Sequence, residues 1–125
     1  MRARWLLNTK DNRIWSAADF DNDGKDEFFI SSPWGVGILK LSGNTFTVPM
    51  MKPNGTRFNG WLLNTADNLF RQFEDLTGNG RANILVESKW GIGILELVGT
   101  FKGSMMDPNG TRFGGWLLNT ADNRF

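Results

Sequence analysis

Asp19, Asp21, Asp23 and Glu27 stand at positions one, three, five and nine of one stretch, with Gly24 between them and the Lys25 carbonyl available at position seven. Carboxylates at that spacing repel one another unless a cation joins them. Hard Ca2+, which takes about six to eight oxygen ligands, suits the set, and the glycine permits the sharp turn. The plain alternative is a solvated acidic turn that ends a strand. In a second copy of the stretch the corresponding residues are Asp75, Thr77, Asn79 and Asn83, with Gly80 kept. That copy is expected to fold without metal, so Ca2+ is expected in the first copy alone.

A second set could bind a sugar. It gathers Trp34 or Trp90, Arg57 or Arg112, Asn64 or Asn119, Asp67 or Asp122, and Asn68 or Asn123. An indole covers the apolar C–H face of a saccharide, while Asn, Asp and Arg give directional hydrogen bonds to hydroxyl and acetamido groups. The competing role for the tryptophans is core packing. For the Asn and Asp residues it is a turn that holds its own backbone through side-chain bonds. For Trp61 and the two leucines after it, packing is the expected role.

Catalysis has little to work with. The chain has no His, Cys or Tyr, so acid–base chemistry would need paired carboxylates, as in glycoside hydrolysis. Asp11, Asp67 and Asp122 recur singly, and Glu74, Glu87 and Glu96 do not recur. Repeating a weak binding site gains avidity, which repeating a catalytic site does not. A binding protein is expected rather than an enzyme.

The totals narrow the partners. A net charge of +1 with scattered Lys and Arg offers no basic stripe for a phosphate backbone, so no nucleic-acid partner is expected. The absence of cysteine excludes disulfides and thiolate zinc sites. No apolar run approaches the roughly 18 residues of a membrane span, and Met1 to Arg4 lead into repeat sequence without a signal-peptide core. Localisation stays open.

What must position these groups is a repeat. Trp-Leu-Leu-Asn-Thr-Xaa-Asp-Asn occurs at 5–12, 61–68 and 116–123, giving periods of 61 − 5 = 56 and 116 − 61 = 55 residues. Between the copies, Pro-Trp-Gly-Val-Gly-Ile-Leu at 33–39 answers Lys-Trp-Gly-Ile-Gly-Ile-Leu at 89–95, and Pro-Asn-Gly-Thr-Arg-Phe recurs at 53–58 and 108–113. Glycine-punctuated apolar runs read as strands over 14–18, 27–32, 36–41 and 45–48, then over 70–74, 84–88, 92–97 and 100–102. A further strand at 61–65 fits too. The period suits the four-stranded antiparallel blades of a β-propeller with long loops, an all-β fold. The divisions are an N-terminal loop copy at 1–12, a first blade with its long loop at 13–68, a second at 69–123, and the start of another strand at 124–125. Because strands alternate in direction, Trp34, Arg57 and the 64–68 segment should share one face, with the acidic turn on the opposite face.

Asp-Phe-Asp-Asn-Asp-Gly-Lys-Asp-Glu-Phe, Ser-Pro-Trp-Gly-Val-Gly-Ile-Leu and Gly-Thr-Arg-Phe-Gly-Gly-Trp-Leu-Leu-Asn-Thr-Ala-Asp-Asn-Arg-Phe resemble blades of the Psathyrella velutina lectin family. Those fungal β-propeller lectins have acidic turns similar to the calcium loops of integrin α-subunit (FG-GAP) propellers. The resemblance covers nearly the whole chain after Arg4. It implies a lectin for terminal N-acetylglucosamine, with sialic acid as a second ligand, bound between adjacent blades on one face. By position it places calcium on Asp19, Asp21, Asp23 and Glu27.

Family members carry seven blades in one chain, whereas two are read here, which suggests a fragment or an engineered protein. Two blades leave apolar faces and strand edges open. Closure by a homo-oligomer is therefore expected, as a trimer of six blades or, alternatively, a tetramer of eight. In such a ring the 5–12 copy and a neighbour's 116–123 copy compete for one position. The rival reading is a structural or protein-interaction propeller of integrin type, whose acidic turn only rigidifies it.

Overall fold

The twelve strands of the described residues pair only with their neighbours in sequence, and all pair antiparallel. The computed structural model describes residues 5–98 and 100–125, and no helix occurs among them. The readings made at Met1 to Arg4 and at the turn around Gly99 lie outside those residues. β1 (Arg13–Ala18), β2 (Glu27–Ser32), β3 (Gly35–Ser42) and β4 (Thr45–Pro53) form a first four-stranded sheet in that order. β5 (Arg57–Phe58) and β6 (Trp61–Leu62) make a small hairpin. β7 (Leu69–Glu74), β8 (Asn83–Glu87), β9 (Gly91–Val98) and β10 (Thr100–Pro108) repeat the sheet, and β11 (Arg112–Phe113) with β12 (Trp116–Leu117) repeats the hairpin. The architecture is all-β and antiparallel, as expected.

The fourth strands correct the expected boundaries. β4 runs on to Pro53 rather than ending at 48, and β10 to Pro108 rather than 102. Glycine explains the extension. Gly35 pairs with Pro53, and a Cβ at Gly35 would meet the Lys52 carbonyl oxygen at 2.1 Å, so only a residue without a side chain lets the strands approach there. Gly91 stands in the same relation to the Asp107 carbonyl, also at 2.1 Å. The extra strand expected at 61–65 exists, but only as the two residues of β6.

An aromatic core joins the sheets. Phe20 and Phe29 of the first meet Phe70, Phe73 and Phe101 of the second, with ring centroids 4.7 Å apart for Phe29 and Phe70 and 6.3 Å for Phe20 and Phe101. Edge-on and tilted packing of this kind adds to the area buried.

A strap then crosses from the first sheet to the second. Asn54 fastens it at one end, its N–H donating to the Trp34 carbonyl at 2.7 Å and its Nδ2 to the Pro33 carbonyl and Thr65 Oγ1. Thr65 Oγ1 donates in turn to the Ser32 carbonyl at 2.8 Å. At the other end Trp61 lies fully buried across Gly93, where a Cβ would come within 2.9 Å of the indole, and its ring sits 4.7 Å from that of Trp90. Trp5 takes the same seat on the first sheet, over Gly37 and 4.8 Å from Trp34.

Candidate functional site

The straps and the β2–β3 turns they grip share one end of the sheets, so the expected grouping of Trp34 with the 64–68 segment is present. Two clefts open there, and they are repeat-equivalent. One, of about 360 Å3, is lined by Asp11, Arg13, Trp15, Ser31, Ser32, Pro33, the strap residues Thr65, Ala66 and Asn68, and Leu69 of β7. The other, of about 340 Å3, is lined by Ala66, Asp67, Leu69, Glu87, Ser88, Lys89, Thr120 and Ala121.

A β-bulge stands beside each cleft, and in the first copy its extra residue lines the cleft. The β1–β2 register slips between Ile14 and Ser16, and the β7–β8 register between Phe70 and Gln72, leaving Trp15 and Arg71 as the extra residues. Trp15 Nε1 donates to Ser31 Oγ at 2.8 Å, with the Arg13 guanidinium 3.4 Å from its ring centroid. Arg71 Nε donates to Glu87 Oε1 at 2.9 Å. The same frame thus presents an aromatic and hydroxyl lining in one copy and, in the other, the Glu87 carboxylate that Arg71 pairs with.

The sequence-predicted sugar residues divide. Asp67 lines the second cleft and Asn68 the first. Yet Asn68 is buried, and its Oδ1 accepts from Trp61 Nε1 at 3.3 Å and from the Asn64 N–H at 2.9 Å. Asn64 Nδ2 donates to Asp67 Oδ2 at 3.1 Å. Asn119, Asp122 and Asn123 repeat these bonds in the last copy. The amides therefore hold the strap in shape. Trp34 and Trp90 are exposed but stand against the strap tryptophans, and neither they nor the exposed Arg57 and Arg112 line the two clefts. Trp15 and Arg71 were not singled out in the sequence, because a bulge shifts the inward positions of β1 and β7 by one residue; their partner Ser31 was not singled out either, and Glu87 was weighed only as a carboxylate that does not recur.

The acidic turn lies at the other end, since Trp34 precedes the first residue of β3 and Lys40 comes near its last. Carboxylate oxygens of Asp19, Asp21, Asp23 and Glu27 all fall within 4.8 Å of one another. Backbone donors shape the turn: the Asp23 and Gly24 N–H groups reach Asp19, and the Lys25 N–H reaches Asp23 Oδ1 at 2.9 Å. Lys40 Nζ bonds Asp21 Oδ2 at 3.0 Å and Asp23 Oδ2 at 2.6 Å. Glu27 is 1 % exposed; its Oε1 accepts from the Phe20 N–H at 3.1 Å, and its Oε2 has no partner among the described residues.

Burial first, then the charge of Asp21, pushes the Glu27 carboxyl up to about 7. The hydrogen bond from Lys40, followed by that from the Lys25 N–H, pulls Asp23 down to about 2. Lys40 is held above the ordinary lysine value by its bonds to Asp23 and Asp21. A buried carboxylate oxygen left without a donor, beside three more carboxylates, fits a hard cation.

The second turn is built differently. Asn83 is buried in the place of Glu27, and its Oδ1 accepts from the Leu76 and Thr77 N–H groups at 2.8 and 3.1 Å. Asp75 takes the Gly80, Gly78 and Asn79 N–H groups, which lower its carboxyl, the Gly80 bond most. Glu96, in the place of Lys40, accepts from Asn79 Nδ2. Among the described residues, no other group of three or more acidic side chains gathers as the first turn does.

No protein family, curated protein or solved structure matches this chain.

Proposed function

We propose that this protein binds saccharides through the strap-bounded clefts of a propeller-like β-array, with a calcium ion as a structural part of the first acidic turn. One observation carries the reading: the same cleft is built twice, at the same end of two equivalent sheets. Its first copy joins an indole, a guanidinium and three hydroxyls, those of Ser31, Ser32 and Thr65. An indole with a guanidinium and hydroxyl groups converging on one cleft is sugar-binding chemistry. The lectin resemblance supplies the ligand class, terminal N-acetylglucosamine-type glycans with sialic acid as the anionic variant.

A glycan array with the protein in calcium, then in chelator, tests it. Trp15→Ala should weaken saccharide binding by about tenfold, the loss of one stacking surface. No saccharide signal at any calcium level would end this reading. It would favour the structural or protein-interaction role, to which the internally bonded strap amides already lend support.

Assembly with further copies is the second part of the reading. Where the first sheet covers the second, Phe20, Phe58 and Trp61 are buried on one side and Phe70, Leu97 and Phe101 on the other. Their repeat equivalents on the outer faces are exposed: Leu76, Phe113 and Trp116 beyond the second sheet, Ile14, Leu41 and Phe46 beyond the first. A copy placed head to tail would meet each apolar face with the one it matches, its Trp116 taking the seat over Gly37 that Trp5 fills within the single chain, and a rotation that closes gives a ring. The trimer is the favoured size and the tetramer the alternative. Light scattering should show a mass above one chain, reduced to one chain by Leu76→Asp with Phe113→Asp. A single-chain mass at every concentration would refute assembly.

A further inference from the structure

The charge balance of the first turn is unusual. Four carboxylates share it, and among the described residues one cation, Lys40, is bonded within it. The ammonium reaches Asp21 and Asp23 only. Asp19 is occupied by backbone N–H groups, and the buried Glu27 Oε2 stays bare. Lys40 therefore satisfies half of the cluster and leaves the deepest oxygen for something else.

The second copy shows that this lysine belongs to the turn. Where the cluster loses its charge to Thr77, Asn79 and Asn83, the Lys40 position becomes Glu96 and bonds Asn79 with the opposite polarity. The residue on β3 or β9 follows the electrostatic needs of the turn it faces.

We infer that Lys40 is a built-in counter-ion that exchanges with calcium: its ammonium holds Asp21 and Asp23 together without the ion and leaves when the ion binds. The inference rests on the calcium reading above. Ca2+ would need the oxygens that the ammonium occupies, and two cations sharing carboxylates a few ångströms apart repel strongly. Lys40 can leave because its side chain is about a third exposed and its four-carbon stem is flexible. The lysine therefore keeps the turn folded at low calcium and weakens its hold on the ion. The bare Glu27 oxygen explains why the exchange is favourable at higher calcium, since the ammonium never satisfied it.

Two measurements test this on the whole chain. Calorimetric titration with calcium chloride should show Lys40→Met binding about tenfold tighter or more, since a competing positive charge is gone. Lys40→Arg, which keeps the charge, should stay near the wild type. In the unmodified protein, acetylation of Lys40 followed by mass spectrometry should be slow in chelator and accelerate several-fold on adding calcium. Equal or weaker calcium binding by Lys40→Met, or acetylation of Lys40 that is fast in chelator, would overturn the exchange while leaving the metal site standing. No calcium uptake by either protein, with Lys40 shielded throughout, would refute the metal site and the exchange with it.

Discussion

Replacing Trp61 with Ala should lower the unfolding free energy by about 3–5 kcal/mol, whereas the same change at Trp116 should shift it by less than about 0.5 kcal/mol. The two residues sit in the same local sequence, Gly-Trp-Leu-Leu-Asn-Thr-Ala-Asp-Asn, and each donates its indole N–H to the asparagine seven residues on. Their surroundings differ. Trp61 is 0 % exposed, lying on Gly93 and against Trp90, so its removal opens a cavity between strap and sheet that the rigid β9 backbone cannot close. Trp116 is 63 % exposed, and its loss takes little area from the folded monomer. Urea denaturation of both variants, at a concentration where the protein is monomeric, measures the difference. Equal destabilisation would mean that the last strap is seated within the chain and that the open face beyond the second sheet does not exist. Conversely, the Trp116 variant should lose mass in light scattering at high concentration, because the assembled state is where that indole would be covered.

The second large effect is on pH dependence. In chelator, stability should fall as pH rises from 5 to 8, by about 3 kcal/mol in all, and calcium should remove the fall. Glu27 titrates near its ordinary value of 4.5 when unfolded and near 7 when folded. Between those values the folded protein holds the proton more tightly, so raising the pH favours unfolding, and the penalty is complete once the pH passes the folded value. The shift of Asp23 has the opposite sign. It stabilises the fold above its unfolded value of 3.8 and is lost only as the pH falls toward about 2, outside this window. A bound ion would reverse the slope at Glu27, because the ion needs the ionised carboxylate. Melting temperatures at pH 5, 6, 7 and 8, with chelator and with calcium, make the comparison. Glu27→Gln should flatten the chelator curve, and a flat curve in the unchanged protein would show that Glu27 ionises freely where it is buried.

Much of this could be read before any coordinates. The repeat of Trp-Leu-Leu-Asn-Thr, the glycine-punctuated apolar runs and the Asp-rich turn each depend on a few neighbouring residues, and local periodicity and turn chemistry report such features directly. The all-β antiparallel plan, the packing role of Trp61 and the gathering of Asp19, Asp21, Asp23 and Glu27 come from that level. The ends of β4 and β10 did not, because whether a strand continues past residue 48 or 102 depends on a partner lacking a Cβ at Gly35 or Gly91. Trp15 and Arg71 were missed for a related reason: a bulge is a mismatch between two strands, and neither strand carries it alone. Lys40 was missed because it reaches Asp21 and Asp23 from another strand, 19 and 17 residues away in the chain.

The sequence by itself determined the unit: two copies of one sheet and strap, the first with a turn that carries four carboxylates where the second keeps one. Only the tertiary structure decided what each identical piece does. Trp61 and Trp116 have the same neighbours along the chain but different neighbours in space, and Phe58 and Phe113 differ in burial although the four residues before them are identical. Burial, and with it the division between core and open surface, is a property of what lies across the gap, which no local stretch encodes.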